Sequence, residues 1–187
     1  PGPGPGRPVE MRVTVFASSS PRTPPAYLEA AADLGRALAA AGHEVCNGAG
    51  RHGCMGALNE ACLAAGGRVR GVILRKFLDE GLAHAGLGEL VVADTMRERK
   101  RLLGEGAGAF VVLPGGPGTW EEFWEVAVER QIGVHRRPLV LIDIAGFYQG
   151  FTMVARRAHA EGLLYGPVDD LFQVATDVPG VLALLDA

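Results

Sequence analysis

A doubly wound α/β domain on a parallel sheet is the fold this sequence predicts. Runs such as Phe110-Val111-Val112-Leu113 and Leu139-Val140-Leu141-Ile142 are apolar at every position, as strands covered on both faces must be. They alternate with alanine- and leucine-rich stretches of helical length, the order that lays helices on both sides of one sheet. Glycine-rich turns follow several of the apolar runs, where a strand hands over to a helix.

The Pro/Gly alternation at the start cannot assemble a core. Residues 1–10 are therefore expected to be a disordered tail or a cloning remnant, with one domain over 11–187. Val13-Thr14-Val15-Phe16-Ala17 reads as a strand and Ser18-Ser19-Ser20-Pro21 as the loop after it. A helix over 27–41 follows, ended by Gly42 as a C-cap. A short strand at 44–46, a glycine-rich turn at 47–53 and a helix at 55–65, stopped by Gly66-Gly67, come next. Strands at 69–74 and 89–93 precede a helix over 95–106. A strand at 109–113 then leads through a second glycine-rich turn into a helix reaching about Gly133. A strand at 139–142, a helix at 146–161 and a final strand–helix pair complete the chain. Ligands of such sheets sit beyond the carboxyl ends of the strands, where residues 18–20, 47–50 and 114–119 all fall.

Composition narrows the function. A net charge of −3 offers no basic patch for nucleic acid. No apolar run reaches membrane-spanning length and no charged-then-apolar leader is present, so the expected compartment is the cytoplasm. Cys46, Cys54 and Cys62 are odd in number and form no CxxC pair, which reads as buried structural thiols, the last two flanking a helix. The histidines are scattered, and no metal site is expected.

The turn Pro114-Gly115-Gly116-Pro117-Gly118-Thr119 carries the chemistry. Between a buried strand and a helix start it leaves backbone N–H groups unpaired at the positive end of a helix dipole, where phosphate is the natural guest. It is not a Walker loop, because Thr119 and Trp120 follow Gly118 where a lysine would be needed. It is not a dinucleotide fingerprint either, since Glu121 holds the third glycine position and the strand ending Cys46-Asn47-Gly48 has no acid for a ribose diol. No nicotinamide, and no other cofactor, is expected.

Arg99 stands out on the helix before this strand. On a wheel of 100° per residue, Met96, Leu103 and Ala107 cluster with Leu102 and Gly106 beside them, and Arg99 falls inside that apolar arc with Lys100 at its edge. A guanidinium there must be paired. It is either a structural ion pair or snorkelling side chain, or a cation facing the ligand cleft. Spacing does not single out its partner: Glu121, Glu125 and Glu129 form an i, i+4, i+8 stripe with Glu122 at its border, and all could be a solvated face. Position in the first turn favours Glu121 or Glu122.

Pro114-Gly115-Gly116-x-Gly118-Thr119-x-x-Glu122, with Met96-x-x-Arg99-Lys100 upstream, resembles the paired signature of the LONELY GUY family. These are cytokinin riboside 5′-monophosphate phosphoribohydrolases, formerly called lysine decarboxylase-like. The likeness spans nearly the whole chain after Val13, including Phe16-Ala17-Ser18-Ser19, Gly53-Cys54-Met55-Gly56 and Gln131-Ile132-Gly133-Val134-His135. The resemblance implies a Rossmann-like fold, a homodimer with active sites near the interface, and hydrolysis of a nucleoside 5′-monophosphate to free base and ribose 5-phosphate. It also implies Arg99 and Glu122 as the catalytic pair, with Gly115, Gly116, Gly118 and Thr119 holding phosphate and Lys100 contacting the nucleotide; Ser18, on the same sheet edge, is the further candidate for phosphate or nucleotide. Pro117, Asn47-Gly48-Ala49-Gly50, Leu74, Arg97 and Glu129-Arg130 depart from the family pattern. They leave the base open between prenylated adenine, adenine and another base. A carrier that binds a nucleotide or cofactor through the same loop without turnover is the alternative reading.

Overall fold

The structure, a computed structural model, describes residues 11–186, so the expected tail over 1–10 lies outside the described residues. Strands β1 (Arg12–Phe16), β2 (Glu44–Asn47), β3 (Arg68–Leu74), β4 (Glu89–Ala93), β5 (Ala107–Val112), β6 (Leu139–Ile142) and β7 (Gln173–Ala175) form one sheet. Its order is β4-β3-β2-β1-β5-β6-β7, and every pairing is parallel. The chain winds outward from β1 to β4, then returns to β1's other side at β5. That reversal opens a crevice between the carboxyl ends of β1 and β5, the general ligand position in such sheets.

Helices cover both faces. α1 (Pro25–Ala40), α2 (Gly53–Ala64) and α8 (Val178–Leu185) pack on the face carrying Val13, Val15, Val111 and Val140. α4 (Met96–Gly104), α5 (Pro117–Gln131) and α6 (Gln149–Ala160) cover the face carrying Phe16, Phe110, Val112 and Leu141. Local signals set several ends. Pro25 opens α1, and Gly42 at φ +84° follows its end as expected. Thr95 caps α4 by accepting Glu98 N–H at 3.2 Å, while Glu98 accepts Asp94 N–H at 3.0 Å. Thr14, fully buried in β1, satisfies its hydroxyl on Leu103 O at 2.7 Å and so ties the sheet to α4's last turn.

Some expectations are corrected. Cys54 and Cys62 lie within α2 rather than flanking a helix, and both are buried, as is Cys46 in β2. α4 stops at Gly104 and β5 begins at Ala107, because Gly106 turns the chain at φ +68° and Ala107 already pairs with Arg12. Ala107 and Gly106 therefore do not belong to α4's apolar arc, and Met96, at its first position, is 43% exposed. α6 starts at Gln149 rather than 146, after a 3₁₀ turn at Ile144–Gly146, where Asp143 accepts Tyr148 N–H at 2.7 Å. Short helices α3 (Arg75–Asp79) and α7 (Val168–Leu171) carried no sequence signal. Among the described residues, no helix is long and apolar enough to cross a membrane.

Candidate active site

The glycine-rich turn caps β5 at the crevice. Gly116 is the N-cap of α5, Pro117 occupies its first turn, and the first intrahelical bond runs from Trp120 N–H to Gly116 O at 3.0 Å. The amides of Gly118 and Thr119 precede that bond and have no carbonyl of their own helix to meet. A side chain on Gly116 or Gly118 would meet no atom within 4 Å, so the loop's outer side is open to a ligand. Gly115 is different: a Cβ there would lie 2.2 Å from Thr119 Oγ1, so its absence lets Thr119 fold back onto the loop. Ser18 joins from β1's end. Its N–H donates to Pro114 O at 3.2 Å and its carbonyl accepts Met55 N–H at 3.0 Å, linking the two loops to α2. Ser18, Thr23, Pro114 and Gly115 line a cavity of about 190 Å³ there.

One turn into α5, Glu122 points inward. It is 8% exposed and accepts from Arg99 Nη1 at 2.8 Å. Arg99, 7% exposed on α4, also donates from Nε to Val72 O in β3 at 3.1 Å. The cation on the apolar arc is thus paired, across the mouth of the crevice. Burial pushes the Glu122 carboxyl above its ordinary range, and the Arg99 guanidinium pulls part of the way back. A carboxylate so placed can exchange a proton nearer neutrality than a solvated glutamate can.

Glu121 faces away from the crevice. Lys100 Nζ lies 2.5 Å from Glu121 Oε1 and 2.5 Å from Glu125 Oε2, and the hydrogen bonds it donates to Glu121, then to Glu125, raise the lysine's pKa. Of the first-turn acids, then, Glu122 adjoins Arg99 and Glu121 belongs to a half-exposed cluster. Further cavities meet the buried pair. One of about 540 Å³ touches Glu122, Lys100, Glu125, Glu129 and Arg137. Another, of about 140 Å³, touches Arg99, Gly48, His52, Met55 and Phe77. Glu129 faces the larger cavity, whereas Arg130 turns away to the carbonyls of Asp169 and Asp170.

Sequence reasoning missed Tyr148, and it placed Gly48 within the 47–50 turn on the ligand edge without its contact to Arg99. Tyr148 is fully buried and donates its hydroxyl to Leu113 O at 2.7 Å, fixing the strand end from which the loop departs. Gly48 lies directly against the Arg99 guanidinium. Neither residue carries a spacing signal, because each is defined by contacts with distant segments.

The chain resembles known proteins throughout. A family described as "Possible lysine decarboxylase" matches residues 55–185. The cytokinin riboside 5′-monophosphate phosphoribohydrolase of Rhodococcoides fascians is 37% identical over 181 residues, covering 96% of this chain and 91% of that protein. Its counterpart in Mycobacterium tuberculosis is 38% identical over 155 residues, covering 83% and 80%. One from Arabidopsis thaliana is 32% identical over 175 residues, covering 94% and 82%. Among solved structures, the molybdenum cofactor carrier protein of Chlamydomonas reinhardtii superposes with TM-score 0.72 at 19% identity, covering 95% of this chain and 99% of that one. That likeness shows the fold alone.

The decarboxylase description does not fit the residues present. Pyridoxal chemistry needs a lysine that can form a Schiff base. The only lysines are Lys76 and Lys100. Lys76 is exposed on α3, and Lys100 is held charged by its carboxylates, the opposite of what that chemistry requires. With signature loop, buried Arg–Glu pair and relatives over most of its length, the chain belongs to the LONELY GUY family of cytokinin riboside 5′-monophosphate phosphoribohydrolases.

Proposed function

We propose that this protein hydrolyses the N-glycosidic bond of a nucleoside 5′-monophosphate, a cytokinin ribotide or AMP, giving free base and ribose 5-phosphate. The observation that carries the reading is the buried Arg99–Glu122 pair, 2.8 Å apart, one helical turn from an open phosphate loop. The 5′-phosphate is anchored by the Gly115, Gly116, Gly118 and Thr119 backbone at α5's N-terminus, with Ser18 alongside, while Lys100, held by Glu121 and Glu125, borders the larger cavity instead. Anchoring there sets the ribose beside Glu122 and converts remote binding energy into orientation. As the bond from C1′ to the base nitrogen breaks, the ribose gains oxocarbenium character, which the carboxylate stabilises. Glu122 takes a proton from the attacking water, the base leaves with the bonding electron pair, and a proton passes to its nitrogen. One water is consumed overall. Arg99 Nη2, which has no hydrogen-bond partner among the described residues, is available to hold a ribose or phosphate oxygen.

Assembly as a homodimer is part of the proposal. Val128, Ile132 and Val134 are exposed at the end of α5, beside the cavity that reaches Glu122. Its setting is the cytoplasm, a reducing compartment in which the free thiols Cys46, Cys54 and Cys62 are stable.

Incubation with isopentenyladenosine 5′-monophosphate, AMP, CMP, GMP and adenosine, followed by chromatography of the free base, tests the proposal. An adenine-type monophosphate should release base and adenosine should not. Glu122→Gln should slow release by about 10²–10⁴ while monophosphate binding persists. Tight binding with no base released would make the protein a carrier, and equal turnover of adenosine would remove the phosphate loop from the argument.

A further inference from the structure

Glycine at position 48 is not demanded by its backbone. Its φ lies outside the left-handed region, so no positive-φ strain calls for glycine there. The neighbouring Ala49, by contrast, sits at φ +63°, where glycine would be at ease, with its N–H bonded to Asn47 Oδ1 at 2.9 Å. The loop thus places glycine where φ does not require it and alanine where φ is restrictive. Space explains the choice. A Cβ on Gly48 would stand 2.2 Å from Arg99 Nη2, with Met55 Cε at 3.1 Å and Sδ at 3.3 Å. Met55 cannot simply retreat: it is 7% exposed and its sulfur accepts Gly50 N–H at 2.9 Å.

We propose that Gly48 is a positioning residue for the hydrolysis, its bare Cα forming the seat that lets the Arg99 guanidinium lie against Glu122 with Nη2 turned toward the substrate. The consequence follows from how Arg99 is tethered. Nε is held by Val72 O at 3.1 Å and Nη1 by Glu122 at 2.8 Å, so a guanidinium pushed off Gly48 must stretch or surrender one of those bonds. Restoring ordinary contact takes a displacement of about 1 Å, the scale on which misplacing a reacting group costs roughly 10²-fold in rate. Gly48 and Arg99 line the same cavity of about 140 Å³, so the displacement also alters the space offered to the nucleotide's sugar.

The inference rests on the hydrolytic reading for its kinetic arm and on geometry alone for its spectroscopic arm. In Gly48→Ala, kcat for the monophosphate that is turned over should fall about 10²-fold while KM changes much less, because the phosphate loop is untouched. Arg99→Lys, which has no Nη2 to collide, should be slow by itself, and adding Gly48→Ala should slow it no further. A general structural defect would instead multiply the two losses. In ¹⁵N spectra, the Arg99 Nε–H signal, protected by Val72 O, should shift and exchange faster in Gly48→Ala. Should Gly48→Ala alone fail to fold, Gly48→Ala/Arg99→Lys should fold, and its failure to do so would overturn the inference. Unchanged kcat with an unmoved Arg99 signal would overturn it too, as would multiplicative losses. A wild-type protein releasing no base from any monophosphate would sink the hydrolytic reading only, and the Arg99 signal would still decide the role of Gly48.

Discussion

Replacing Arg99 with methionine keeps most of the buried volume and removes the charge, which isolates what the guanidinium does for Glu122. The two side chains are each 9% exposed and meet at 2.8 Å. Two charges in such contact attract by about 4 kcal/mol at an effective dielectric of about 20. Breaking a buried pair from one side typically costs about 3–5 kcal/mol, because the surviving ion is left without a counter-charge. The lost Nε bond to Val72 O adds about 1–3 kcal/mol that does not depend on pH. The charge-dependent part has a definite sign. Glu122's folded pKa is already raised above 4.5 by burial, and deleting Arg99 removes the main influence pulling it back. A carboxyl whose folded pKa is raised holds its proton more tightly when folded, so stability is fully present below the unfolded value and is lost as pH rises through the folded one.

Arg99→Met should therefore show a larger deficit near neutral pH than at pH 4.5, because the charge-dependent part shrinks as the pH falls toward Glu122's unfolded value while the hydrogen-bond loss stays constant. Urea unfolding of wild type and variant at matched protein concentration, at both pH values, measures this. Arg99→Met/Glu122→Leu should recover most of the neutral-pH deficit, as paired removal of buried ions generally does. A deficit independent of pH, or one the second substitution does not repair, would refute the reasoning.

Two further outcomes follow from buried groups. Tyr148→Phe leaves Leu113 O without its 2.7 Å donor in a closed core and should cost about 1–3 kcal/mol, read as a lower urea midpoint with unchanged slope. Burial pushes the Cys54 thiol up to about 12 and Cys62 up to about 11, and raises Cys46 as well, so a thiol reagent at about pH 8 should label none of them until the chain unfolds.

Much of this protein was determined by sequence alone. Uninterrupted apolar runs fix β5 and β6 as strands covered on both faces, since no other placement hides every side chain. The glycine-rich turn after β5 marks the sheet edge proposed to take phosphate, because helix starts leave amides unpaired wherever they occur. Arg99's place on an apolar arc required a partner, but not which one. Glu121 and Glu122 differ by a single 100° step, and only the packing of Phe123, Val126 and Ala127 onto the sheet turns Glu122 inward and leaves Glu121 to Lys100. The pair itself joins residues 23 positions apart on different helices. Gly48 was illegible for the same reason: a glycine needed for space, not for backbone angle, is recognised only by the distant atom that fills the space. Local pattern reports the backbone and the buried face, whereas the identity of contacting side chains is decided when the sheet brings remote strand ends together.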